Sequence, residues 1–316
     1  MSSSPFNITI GQQYQGLLER IVLCFLSTGP ACFFLLINGI LMFSLRSKPV
    51  FRYTCRYILL YNILVADTAL LIVTQVLFLL AVGRVKITYA VCGTITTMAN
   101  LTSGISPLTL VIMTLERYVA VCYPLRHASI VNIKNTVVAI IAAWAVSTLN
   151  NVTRNLFLIE YPYEKFGKVL MKDYCTNIGW IPDSLCDDYD RAYNAVVFVS
   201  ASITVISSYT GVVIAAKAAS TDKASALKAR KTLLLHLVQL FLSLAYTLYY
   251  PLLSALAKTV QRIVFAWVQS VIYMLFIVLP RCLTSLIYGL RDQTVRPVLL
   301  HYLFCRWKLS VEPATC

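Results

Sequence analysis

Hydrophobic residues gather into seven long apolar runs separated by shorter polar stretches, near residues 21–45, 57–82, 88–121, 134–158, 191–217, 229–257 and 263–289. Each is about the 20 or more residues that a helix rising ~1.5 Å per residue needs to cross a ~30 Å hydrocarbon core. Pro30, Pro107, Pro251 and Pro280 fall inside runs, which membrane bundles tolerate because neighbouring helices satisfy the freed carbonyls. Residues 1–20 are polar, carry the sequon Asn7-Ile8-Thr9, and lack the basic start and short apolar core of a cleavable signal peptide. The first run therefore reads as an uncleaved signal anchor. After the last run, residues 290–305 set basic residues among Val295, Val298, Leu299, Leu303 and Phe304, which suits an amphipathic helix on a membrane surface. The pattern predicts an all-α membrane protein: a terminal segment 1–20, a seven-transmembrane helix bundle over 21–289, and an amphipathic helix and tail over 290–316.

Composition agrees, since the 316 residues are 59% apolar and 13% charged, with a mean hydropathy of +0.74. An average soluble domain is about one quarter charged. The net charge of +14 raises the question of nucleic acid, and its distribution answers it. One set of loops holds Arg46, Lys48, Arg52, Arg56, Arg126, Lys134, Lys223, Lys228, Arg230 and Lys231, with few acids. The other holds Glu160, Glu164, Asp173, Asp183, Asp187, Asp188 and Asp190 beside its lysines. By the positive-inside rule the first set is cytoplasmic and the N-terminus is outside, so the basic excess faces a lipid bilayer and no nucleic acid. There is no CxxC pair and no Cys/His cluster of metal-ligand spacing, so neither a metal nor a cofactor is implied.

The third run ends in Met113-Thr-Leu-Glu116-Arg117-Tyr118-Val-Ala-Val-Cys122-Tyr123-Pro124-Leu125-Arg126-His127. Charged side chains at the end of a span are expensive and tend to be paired, interior-facing and functional. A simple basic stop accounts for Arg126 but not for the acid beside Arg117. The segment resembles the Asp/Glu-Arg-Tyr motif of rhodopsin-like G-protein-coupled receptors, in the version found in olfactory receptors. Asn38 before Gly39, Asp67 after Ala66, Trp144, Tyr209 after Ser207-Ser208, and Lys228-Ala229-Arg230-Lys231-Thr232 leading to His236 extend that likeness over the chain. The seventh run departs from the pattern, with Thr284-Ser285-Leu-Ile-Tyr288 where the family usually reads Asn-Pro-x-x-Tyr. Pro280-Arg281-Cys282-Leu283 looks more like a teleost-type odorant receptor than a mammalian one.

The resemblance implies an odorant-type receptor of the plasma membrane, whose partners are a small-molecule odorant outside and a heterotrimeric G protein inside. It assigns coupling and activation to Glu116, Arg117, Tyr118, Tyr209, His236 and Tyr288, with Arg117 held by Glu116 at rest and released as the bundle opens. It also implies a disulfide from Cys92 to the loop near 159–190, with Cys175 the preferred partner and Cys186 unassigned. Asn7 is a glycosylation candidate and Cys305 a palmitoylation candidate, although an unmodified thiol would pack equally well at Cys305. Asn38, Asp67, Ser106, Arg281, Thr284 and Ser285 form the expected internal polar core. Counting ~1.5 Å per residue sets Asp67, Ser106 and Arg281 in one layer. Arg281 is expected to pair with Asp67 in place of the sodium ion many rhodopsin-like receptors hold there, or else to bond backbone carbonyls or water around Pro280.

At the depth where this family binds ligands lie Asn100, Ser103 and Gly104 on the third helix, Tyr193, Asn194 and Val197 on the fifth, and Tyr273, Met274 and Ile277 on the seventh. Ala99 stands where amine receptors carry an aspartate. Helix-to-helix hydrogen bonding is the competing role for each polar residue in this set. A retinal pump lacks its lysine, since none lies between Ile263 and Tyr288. A transporter would show paired halves with interrupted helices, and no nucleophile–base set suggests an enzyme.

Overall fold

The computed structural model describes residues 17–47, 49–156, 175, 184–218, 234, 237–238, 241–242, 249–260, 262–291 and 295–303. Helix α1 is Leu17–Ser47, α2 Cys55–Val82, α3 Tyr89–Cys122, α4 Ile133–Leu156 and α5 Ser184–Ala218. The sixth run is described as a helix, α6, over Tyr249–Thr259. Helix α7 is continuous through Arg262–Tyr273, a π-helical segment Met274–Val278, and Leu279–Arg291. Helix α8 is Val295–Leu303. Among the described residues, six helices are long and apolar enough to cross a membrane.

Two boundaries differ from the hydropathy pattern for physical reasons. Helix α1 is already helical at Leu17, ahead of its apolar run, and carries Glu19 near that end, where exposed N–H groups favour an acid. Helix α5 begins at Ser184, several residues before its apolar run, so Asp187, Asp188 and Asp190 ride on its first turns and not in a loop. Inside α7 the π-helical segment has a local cause. The ring of Pro280 excludes the carbonyl four residues back, that of Phe276, and widens the turn that holds it.

Helix α3 is the axis of the bundle, packed against α2, α4 and α5. Its 34 residues span about 50 Å, longer than the bilayer core, so its Cys92 and Arg117 ends both reach the interfacial layers. Toward the Arg117 end, Leu41, Leu45, Leu60, Ile63, Leu64, Leu110 and Met113 form one buried cluster. Toward the other end, Ala31, Leu71, Phe78, Ile272, Tyr273 and Ile277 form a second, between α1, α2 and α7. Outward-facing Phe25, Phe33, Leu36 and Phe43 on α1, Ile141 and Leu149 on α4, and Ile203 and Ile214 on α5 remain exposed. So much open apolar surface suits lipid tails and not water. Helix α8 folds back on α7 and α1, burying Val295 and Leu299 while Arg296 stays exposed. Leu299 Cδ2 lies 2.5 Å from where a side chain on Gly289 would begin, so a larger residue there would make the Leu299 side chain shift.

Candidate functional site

Between the two apolar clusters lies a polar layer drawn from α1, α2, α3 and α7. Asp67 is its centre and is fully buried. Its Oδ1 accepts from Ser106 Oγ at 2.5 Å and lies 3.3 Å from Arg281 Nη1, while its Oδ2 accepts from Thr284 Oγ1 at 2.9 Å. One step toward the Arg117 end, Asn38 Nδ2 donates to Thr68 Oγ1 at 3.1 Å, and Ser285 donates to the Asn38 carbonyl oxygen. Arg281, with 1% of its side chain exposed, is the largest side chain buried to this degree among the described residues.

At the end of α3, Arg117 Nε lies 3.0 Å from Glu116 Oε2. Glu116 is buried, and Nε2 of His127 lies 3.9 Å from its other oxygen. Tyr118 packs over the backbone of α5, where a side chain on Gly211 would begin 2.5 Å from its ring. Tyr123 meets Tyr118 edge-on, with ring centroids 6.0 Å apart. Tyr209 is half-buried on α5, and Tyr288 lies on α7. Asn7, His236 and Cys305 fall outside the described residues. An open groove of about 660 Å³ beside His127 is bounded by Tyr53, Cys55, Val131, Ile133 and Lys134.

At the opposite end, Cys92 and Cys175 form a disulfide, tying the start of α3 to the chain between α4 and α5. Both sulfurs are buried against Leu77, Ile87 and Tyr89. The outer α4–α5 seam is polar. Arg154 Nη2 meets Asp190 Oδ2 at 3.0 Å, and Tyr189 OH donates to Asn150 Oδ1 at 3.0 Å.

The nine residues singled out for a ligand do not share one environment. Asn100, Ser103, Tyr193, Asn194, Val197 and Met274 are half-buried on their helices, and Tyr193 stacks on Tyr189 at 6.3 Å. Gly104 is half-buried and faces Ser147 on α4. Ser147 Oγ lies 2.8 Å from where its Cβ would be, and that hydroxyl donates to the Leu101 carbonyl at 2.7 Å. Glycine there lets α3 and α4 touch. Tyr273 is buried, stacked on Phe78 at 5.0 Å, and its hydroxyl donates to Gln75 Oε1 at 3.0 Å. Ile277 is buried in the same α1–α2–α7 cluster.

Sequence reasoning passed over several polar links. Trp144 Nε1 donates to Asn62 Oδ1, and Asn62 Nδ2 to Thr109 Oγ1, both at 2.9 Å, which ties α4 to α3 through α2. Gln75 Nε2 donates to Ser27 and Thr28 on α1 at 3.2 and 2.9 Å. The available signal was a lone amide in an apolar run, which hydrocarbon tolerates only when another helix supplies its partner.

Known proteins are similar to this chain in sequence. The sequence model described as 7 transmembrane receptor (rhodopsin family) matches residues 37–288. Odorant receptor 131-2 of Danio rerio is 34% identical over 272 residues, which cover 86% of this chain and 82% of that protein. Human Olfactory receptor 4K2 is 24% identical over 223 residues, 68% of this chain and 66% of its own. Human Olfactory receptor 4K1 is 24% identical over 212 residues, 65% of this chain and 62% of its own. These relatives are receptors and not enzymes, and the zebrafish match accords with the teleost-type resemblance. A family match running from α1 to the end of α7, around the ion pairs and disulfide described above, places this chain in the rhodopsin family of seven-transmembrane receptors.

Proposed function

We propose that the chain is an odorant receptor of the plasma membrane, in which a small molecule held between the outer halves of α3, α5 and α7 favours a state whose Arg117 end admits a heterotrimeric G protein. The observation that carries the reading is the pair of half-buried Arg117 with buried Glu116 at 3.0 Å in a rhodopsin-family chain. A charge pair within one helix end is held together at rest, and either member becomes available only when the surroundings open. The odorant shifts that equilibrium by binding the open state more tightly, and by no other means. Half-buried Asn100, Ser103, Tyr193 and Asn194 supply a few polar groups beside apolar Val197 and Met274, which suits a small neutral or weakly polar ligand. In this reading residues 1–20 are extracellular with Asn7 glycosylated, 21–289 form the bundle, and 290–316 lie on the cytoplasmic leaflet with Cys305 acylated. A panel of water-soluble odorants, screened on cells expressing the receptor with a cyclic-nucleotide readout, tests it. An odorant that raises the signal only in receptor-bearing cells is the expected result, and odorant-driven solute flux without any signal would contradict it.

A further inference from the structure

The buried face of α4 runs outward through Ala143, Ser147 and Asn151, and Arg154 continues it with 14% of its side chain exposed. Its depth follows from the contact of Ser147 with Gly104. Helices α3 and α4 run in opposite directions, so Arg154 lies about 10 Å outward of that contact and Asn100 about 6 Å. Arg154 therefore stands at the outer edge of the half-buried set Asn100, Tyr193 and Asn194. Its partner looks the same way: Asp190 shares a face of α5 with Asn194 and Val197, and that face leads on to buried Ala201 and Val205. Arg154 Nη2 lies 3.0 Å from Asp190 Oδ2, and the Tyr189–Asn150 hydrogen bond clasps the two helices beside that pair. Arg154 Nε is buried and has no hydrogen-bond partner among the described residues. A buried donor without an acceptor is costly, so an acceptor supplied to it is bound correspondingly well.

Resting on the reading of function given above, we propose that Arg154 selects the class of odorant: its Nε–H takes the oxygen of a neutral carbonyl compound while Nη2 stays with Asp190. Charge decides the class. Asp190 already neutralises Arg154, so a carboxylate placed against Nε would meet the repulsion of Asp190 along with the attraction of Arg154, and would bury a net negative charge. An ammonium drawn to Asp190 would meet the guanidinium in the same way. A hydrocarbon leaves the donor unpaired. A carbonyl oxygen is an acceptor with no charge and no donor of its own, so it satisfies Nε–H and brings nothing else that must be paired. The bond it receives comes from an ionised donor shut off from water, which is the stronger kind. Asp190 shares in the selection, because it sets the net charge that a ligand meets.

The probes are straight-chain methyl ketones from butanone to decanone, each beside the alkane, alkylamine and alkyl carboxylate of equal carbon number. They are read in two ways: as a cyclic-nucleotide signal in cells at matched surface abundance, and as a shift in the melting temperature of purified full-length receptor. On the unmutated receptor the best ketone should act at a concentration about tenfold below its alkane, amine and carboxylate. Asp190→Asn leaves the guanidinium without its counter-charge, and the carboxylate should then act about tenfold below the ketone. Arg154→Met/Asp190→Asn removes the donor without stranding a charge, so ketone and alkane should act at equal concentrations. A carboxylate or amine that outperforms its ketone on the unmutated receptor, a ketone advantage that survives in the double variant, or an Asp190→Asn receptor that still prefers the ketone overturns the selection. Should the double variant fail to reach the surface, Asp190→Asn decides alone. Ketones that raise the melting temperature but give no signal in cells overturn the reading of function and leave the selection standing. Signal from the other classes and from no ketone overturns the selection alone, and silence to the whole panel in both readouts overturns both.

Discussion

At the residue scale, Glu116→Gln leaves Arg117 without the carboxylate that lies 3.0 Å from its Nε. Ligand-free G-protein activation should rise, by about fivefold if the pair contributes ~1 kcal/mol to the resting state, at matched surface abundance. Unchanged basal signalling would mean that something other than Glu116 holds Arg117. Deeper in the bundle, removing one member of a buried ion pair strands the other at a cost of about 3–5 kcal/mol. Asp67→Asn and Arg281→Ala should therefore each lower the melting temperature of purified receptor by about 5 °C or more, and the double change should cost less than the sum. Because the Arg281 guanidinium occupies one side of Asp67, exchanging sodium for potassium should leave the melting temperature unmoved. A sodium-specific stabilisation, or losses that add fully, would deny Arg281 the role of internal cation. The shared layer of Asp67, Ser106 and Arg281 could be counted from the sequence because helical rise is fixed. His127, Asn62 and Gln75 could not be assigned partners that way, since a contact across helices depends on how each is rotated, which the whole bundle decides.

At the element scale, the disulfide joins α3 to a segment 83 positions further along the chain. Losing a native bridge typically costs about 2–5 kcal/mol, so Cys92→Ser and Cys175→Ser should each abolish surface expression, measured by antibody labelling of intact cells. The double variant should be little worse than either single one, because both remove the same bond. Greater damage from Cys186→Ser would contradict that pairing. Helix identities were legible from hydropathy, but the start of α5 was not. Asp187, Asp188 and Asp190 read as loop by polarity, and they are helical because acids suit the first turns of a helix and because Asp190 finds Arg154 on α4 at 3.0 Å. Gly104 likewise reads as pocket lining in sequence. Its close approach to α4 emerges only with that helix in place, since the nearest atom to a side chain added there belongs to Ser147.

For the whole molecule, one long helix connects two ends with different chemistry. The outer end of α3 is fixed by a covalent bond, and the inner end is held by charges that separate without breaking one. The polar layer around Asp67 lies between them and joins α2, α3 and α7, while the π-helical segment Met274–Val278 sits directly outward of Arg281. Such an assembly is suited to transmit ligand binding as a shift between two packings of the same helices. Nucleotide exchange on a heterotrimeric G protein by purified receptor, with and without a bound odorant, tests that account most directly when unmutated receptor is compared with Arg117→Ala. The account predicts that odorant accelerates exchange through the unmutated receptor, whereas Arg117→Ala binds the same odorant and gives no acceleration. Equal odorant-driven exchange from both proteins would contradict it.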